Sequence, residues 1–96
     1  MSNKNLEEII ERIKKFRDER EWMQFHDHKN MAISLALEAA EVLEHFQWKS
    51  KEEVEKYAIE NKSEIGEELA DVAIYLFEMA DNLGIDLTEA IDKKIT

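Results

Sequence analysis

Four carboxylates in this sequence stand where charge is hardest to tolerate. Glu38 and Glu41 are three residues apart in SLALEAAEVLEHF, and Glu68 and Asp71 are three apart in EELADVAIYLF. Residues three and four apart share one side of a helix. Each pair therefore projects together, the first with Ser34 and His45 along its stripe, the second with Glu64, Tyr75 and Glu78. Charged helix positions are ordinarily solvated edges. Within an apolar segment, however, a carboxylate is costly unless it is paired or holds a metal. No Lys or Arg lies within one helical turn of any of the four in sequence.

Converging carboxylates without a histidine suit a hard cation with oxygen ligands, Mg2+ or Mn2+. A ferritin-like di-iron site needs Glu-x-x-His, and none of His26, His28 and His45 has a Glu three residues before it. Mg2+ commonly bridges protein carboxylates to substrate phosphates. That property reconciles an anionic ligand with a chain whose formal charge is -10. The residues alone thus point to a metal site for a phosphorylated ligand.

The elements that position these groups read as helices. The 96 residues contain no proline and two glycines, Gly66 and Gly84, with long tracts of helix-forming residues, so one all-α domain over residues 1–96 is expected. Leu6, Ile9, Ile10, Ile13 and Phe16 mark an amphipathic helix over about residues 5–19. Residues 20–30, REWMQFHDHKN, lose the helical period and read as a loop, with Asn30 the expected N-cap of the next helix. From Met31 to Phe46, eleven of sixteen residues are apolar and surround the helical wheel, predicting a helix buried on most sides.

Ser50 and Glu53 form a capping-box signature for a short helix through about Ile59. A longer helix is expected from about Ser63 to Asn82, mostly buried over residues 69–80 and stopped by Gly84 in a left-handed conformation. Asp86 and Glu89 open a final helix in DLTEAIDKKI. Two long helices apolar on most faces exceed what the remaining helices can cover. The expectation is a four-helix-bundle-type core completed by homo-oligomerisation, a dimer at least and a tetramer by extension.

Composition narrows the partners. The acidic charge argues against nucleic acid polymers and anionic membranes. Without cysteine, disulfides and thiolate metal sites are excluded. The N-terminus lacks the apolar core of a signal peptide, and the longest apolar run is VAIYLF at residues 72–77, so a soluble cytoplasmic protein is expected.

The pattern Glu38-Ala-Ala-Glu41, a gap of 26 residues, then Glu68-Leu-Ala-Asp71 resembles the Glu-x-x-Glu and Glu-x-x-Asp motif of the MazG-like, all-α nucleotide pyrophosphohydrolases. REWMQFHDHKN and HFQWKS are similar to the corresponding regions of the family's dCTP pyrophosphatase branch. The resemblance covers about residues 16–94. It implies Mg2+-dependent cleavage of a nucleoside triphosphate between its α and β phosphates, giving a monophosphate and pyrophosphate. By the same resemblance, Glu38, Glu41, Glu68 and Asp71 are the metal-binding and catalytic positions. A carboxylate not fully committed to the metal could take the proton, and Glu38 is our choice among them, one that the sequence itself does not single out.

Trp22, His26 and Trp48 match positions of the branch's nucleobase pocket, and Phe25 is a further aromatic candidate beside them. Tyr75 matches a ligand-contacting position. Lys29 and Asn30 are placed to reach phosphate or sugar, and Lys93 corresponds to a family lysine near the phosphates. Glu67 is as cofacial with Asp71 as Glu68 is; the family register selects Glu68. The family's last helix usually continues into an asparagine and a basic tail near a Tyr-Pro, whereas this sequence stops at Thr96. That leaves part of the phosphate grip to another subunit or to sequence beyond Thr96. Two other readings share these residues. One is a non-catalytic acidic helical module, and the other is the same fold acting on another phosphorylated metabolite.

Overall fold

The computed structural model describes residues 5–19 and 27–96. Five helices run in order, α1 (Leu6–Glu19), α2 (His28–Glu44), α3 (Lys51–Glu60), α4 (Lys62–Asn82) and α5 (Leu87–Ile95), with no strand among the described residues. The longest, α4, is the spine: α2 lies along it, and α1 and α3 pack against it at other places. Each carboxylate pair is thereby carried by one of two adjacent helices.

Local chemistry sets the helix ends. Asn5 Oδ1 accepts from the backbone N–H of Glu8 at 2.9 Å, opening α1. At α2 the N-cap is Asp27, not Asn30. Its carboxylate takes the Asn30 backbone N–H at 2.7 Å and the Asn30 amide at 3.1 Å. An Asp at this place satisfies orphan donors and complements the positive end of the helix dipole, which outcompetes a cap three residues later.

The Ser50–Glu53 capping box is formed in both directions, at 3.2 Å and 3.0 Å. Only Asn61 separates α3 from α4, so the interruption expected at residues 61–63 is a single residue. Gly84 adopts φ 71°, and the bonds Gly84 N–H to Asp81 O and Ile85 N–H to Ala80 O close α4 in a Schellman-type turn. Asp86 then caps α5 through the Glu89 N–H at 3.1 Å.

Burial within one chain is sparse and corrects one expectation. Among the described residues the buried apolar ones are Ile13 on α1, Met31 on α2 and Ala80 on α4. Helix α2 is not buried on most sides: Ile33, Leu37 and Leu43 are exposed, Leu37 at 61%. On α4, Leu69 and Leu76 are exposed as well, and a groove lined by Ile9, Ile13, Phe16, Ala73, Ile74 and Phe77 runs between α1 and α4. A helix apolar around its circumference needs neighbours on several sides, and among the described residues α2 packs chiefly against α4.

Candidate active site

Helices α2 and α4 bring the two carboxylate pairs together within one chain. The clearest sign is Glu38. Its carboxyl is raised above the ordinary range first by burial, then by the charges of Glu41 and Asp71, a shared hydrogen bond with Glu41, and the charge of Glu68. All three other members of the predicted quartet therefore act on this one group. Glu38 and Glu68 are half-buried, while Glu41 and Asp71 are exposed, so the cluster is rooted in the helix interface and opens to solvent on one side.

Two oxygens at its base, Glu38 Oε2 and Glu68 Oε2, are buried without a hydrogen-bond partner. Among the described residues no Lys or Arg forms an ion pair with any of the four. The quartet is a loose convergence. Among the described residues no three Asp, Glu or His side chains stand close enough to hold a metal ion as placed. Like charges on four carboxylates favour an open arrangement. The donor set is nonetheless chemically suited to a hard cation: acidic oxygens only, two of them buried and unsatisfied.

Tyr75, one turn beyond Asp71, faces the same group. Its hydroxyl is raised by burial and by the charges of Glu38, Glu78 and Asp71. The α4 stripe goes on to Glu78, which is 1% exposed, with neither oxygen in a hydrogen bond. Burial pushes its carboxyl up, and the positive charge of Arg17 on α1 offsets only part of that.

Arg17, itself buried, donates to Asp81 Oδ2 at 2.7 Å and Asn82 Oδ1 at 2.8 Å through Nη1, and to Asp18 Oδ1 at 3.0 Å through Nε. Lys14 Nζ stands 3.4 Å from the other Asp81 oxygen. Sequence reasoning missed this polar junction. Arg17 and Asp81 lie 64 residues apart, and nothing local links them.

It also missed the partners of His45. This residue is the C-cap of α2, and its Nε2 lies 3.1 Å from Glu68 Oε1 across the interface. On the other side its Nδ1 is 2.7 Å from the Tyr57 hydroxyl of α3. The Nε2 contact is at ion-pair distance but off the line of a hydrogen bond, so Nε2 has no hydrogen-bond partner. The available signal was the position of His45 on the Glu38–Glu41 stripe; Tyr57 gave none, because the docking of α3 is tertiary.

The remaining predicted positions are more scattered. Trp22, Phe25 and His26 lie outside the described residues. Trp48, in the turn after α2, is 86% exposed. Lys29 and Asn30 are exposed in the first turn of α2. Lys93 is exposed on α5, 3.1 Å from Glu89 one turn back. Within one chain, then, Glu38 feels the charges of Glu41, Glu68 and Asp71, and Tyr75 those of Glu38 and Asp71, while Trp48 and Lys93 are exposed.

A helix-borne Glu-x-x-Glu facing a helix-borne Glu-x-x-Asp is the arrangement that the resemblance anticipates, and the sequence model of the MazG-like family matches residues 33–96, which contain all four carboxylates. The chain belongs to the MazG-like family. It is 39% identical over 92 residues to dCTP pyrophosphatase 1 of Rattus norvegicus, covering 94% of this chain and 54% of that protein. It is 36% identical over 92 residues to dCTP pyrophosphatase 1 of Homo sapiens, with the same coverage. The chain spans about half the length of the curated relatives it matches. Among solved structures, a pyrophosphatase from Archaeoglobus fulgidus superposes with a TM-score of 0.87 at 38% identity, over 99% of this chain and 89% of that one. The all-α expectation is thus met by a neighbour of the same fold, and among the described residues no helix of this MazG-like chain is long and apolar enough to cross a membrane.

Proposed function

We propose that this MazG-like chain is a nucleotide pyrophosphohydrolase that converts a (d)NTP to a (d)NMP and pyrophosphate, with Glu38, Glu41, Glu68 and Asp71 holding Mg2+. The observation that carries the reading is the convergence of these four carboxylates within one chain with no Lys or Arg of the described residues paired to them. Mg2+, with Mn2+ as the alternative ion, would supply charge neutralisation for the phosphates and a more acidic attacking water. The chain's own part is to fix oxygen donors on two packed helices. The free oxygens of Glu38 and Glu68 are the atoms so offered.

Glu38 has a second role in this proposal. Its carboxyl is raised first by burial and then by its acidic neighbours, which favours its taking a proton from water. Tyr75 borders the same face and would contact substrate. For the nucleobase we propose Trp22, His26 and Trp48, and for the phosphates and sugar Lys29, Asn30 and Lys93. The similarity to two dCTP pyrophosphatases favours a cytosine-like or non-standard deoxynucleotide and a house-cleaning role in the cytoplasm.

The exposed leucines of α2 and α4, with the apolar groove along α1, support assembly into at least a dimer and, by extension, a tetramer. Light scattering of the purified chain checks this; a monomer at micromolar concentration would refute it. The activity is tested by incubating the chain with a panel of NTPs and dNTPs plus Mg2+ and separating products by chromatography. Pyrophosphate and a monophosphate are expected, whereas release of orthophosphate would overturn the bond assignment.

A further inference from the structure

The His45 contacts tie three helices to one carboxylate. Tyr57 reaches from α3 to Nδ1, the ring sits at the end of α2, and Nε2 meets Glu68 on α4. The ring is enclosed, its side chain only 10% exposed, and it lies among aromatic neighbours: its centroid is 5.5 Å from that of Tyr57 and 6.1 Å from that of Phe46. Phe46 in turn meets Tyr57 edge-on, and Lys49 Nζ covers the Tyr57 ring at 4.2 Å. An imidazole walled in this way, with one nitrogen 2.7 Å from a hydroxyl, has little freedom to turn.

The protons follow from the partners. A carboxylate only accepts, so the nitrogen facing Glu68 is the one that carries hydrogen; Nδ1 then accepts from the Tyr57 hydroxyl in the neutral ring. As placed, the 3.1 Å contact between Nε2 and Glu68 Oε1 is not a hydrogen bond. Glu68 Oε1 stands within 3.1 Å of His45 Nε2, while Oε2 is buried and unpartnered, as is Glu38 Oε2 across the interface.

We propose that His45, steadied by Tyr57, is a positioning residue that engages Glu68 Oε1 and so presents Oε2 to the cation. The inference rests on the reading that Glu68 binds Mg2+. It assigns a task to α3, which carries none of the four carboxylates. Outer-shell hydrogen-bond partners fix the orientation of a metal ligand, and their loss typically weakens metal binding by about 10- to 100-fold.

The test uses the full chain and Mg2+ alone, followed by the Mg2+ dependence of turnover. In the wild type, Mg2+ without nucleotide should raise the melting temperature. In His45→Ala the Mg2+ concentration giving half of that rise should increase roughly 10-fold or more, and the half-saturating Mg2+ in turnover should increase in parallel. His45→Gln, which keeps an N–H near the position of Nε2, should recover most of the loss. Tyr57→Phe should shift both values in the same direction by less. The nucleotide KM at saturating Mg2+ should stay unchanged throughout.

A lower melting temperature with an unchanged Mg2+ midpoint in the folded His45→Ala and Tyr57→Phe variants would reduce His45 to a packing residue and overturn the inference alone. If Mg2+ shifts neither the wild type nor Glu68→Gln, the metal reading itself has failed and this proposal falls with it.

Discussion

Helix α4 carries two acidic regions, and they are balanced in opposite ways. At its C-terminal end Asp81 is met by Arg17 at 2.7 Å and Lys14 at 3.4 Å, both from α1. Toward its N-terminal end Glu68 and Asp71 face two more carboxylates on α2, and the basic group that approaches is the imidazole of His45. The first region is neutralised by the chain; the second has no Lys or Arg partner among the described residues, the condition that the proposed Mg2+ site requires. The same residue types on the same helix are paired where an arginine reaches them and, among the described residues, lack a Lys or Arg partner where none does.

The sharpest way to break this comparison is to remove charge from the uncompensated side. Glu68→Gln or Asp71→Asn should reduce hydrolysis by more than about 100-fold, since outer-shell partners of a metal ligand are already worth up to that much. The melting temperature should hold or rise, because a repulsive charge has gone. Product chromatography and a thermal melt on the same sample check both halves, and activity close to wild type in Asp71→Asn would end the proposed assignment.

The compensated side should respond in the reverse sense. Arg17→Ala leaves Asp81, Asn82 and buried Glu78 facing an absent cation, and should lower stability by about 3 kcal/mol, the scale for breaking a buried ion pair. The variant's kcat at low temperature should remain near wild type. Urea unfolding gives the first quantity and steady-state assay the second.

A smaller effect distinguishes two acids three residues apart. Glu78 is raised from the ordinary glutamate value of 4.5 by burial, against the opposing charge of Arg17. Its folded form binds a proton more readily than its unfolded form. It therefore contributes stability below 4.5 that is lost as pH rises through its higher folded value. Burial alone would raise Asp81 too, yet the hydrogen bond from Arg17 and the charges of Lys14 and Arg17 hold it below 3.8. Its stabilisation is present above 3.8 and is lost as pH falls through the lower folded value.

Glu78→Gln should accordingly raise stability at neutral pH by about 1 kcal/mol, since a buried charge is replaced by a neutral group. It should also flatten the decline above the glutamate range. Asp81→Asn should flatten only the acid limb. Melting temperatures from pH 3 to pH 8 would expose a failure of either sign.

Much of this was legible beforehand. Helix boundaries followed from apolar period and caps: the Ser50–Glu53 box and the Gly84 stop stand where their chemistry requires. The α2 cap moved from Asn30 to Asp27 because several residues in HDHKN can cap, and only the backbone path decides which one does. The carboxylate pairs were visible because a three-residue spacing shows in any single helix. Their partners His45–Glu68, Tyr57–His45 and Arg17–Asp81 were not, since each joins residues 12 to 64 positions apart.

By itself the sequence determined what lies on each helix: period, caps and the placement of Glu38 with Glu41 and of Glu68 with Asp71 are set by bonds to neighbours three or four residues away. The tertiary structure decided which faces meet. Packing α2 and α1 on different parts of α4 gave Asp81 its arginine and left Glu38 among three acids, because the effect of a buried charge depends on what folding carries to within a few ångströms of it.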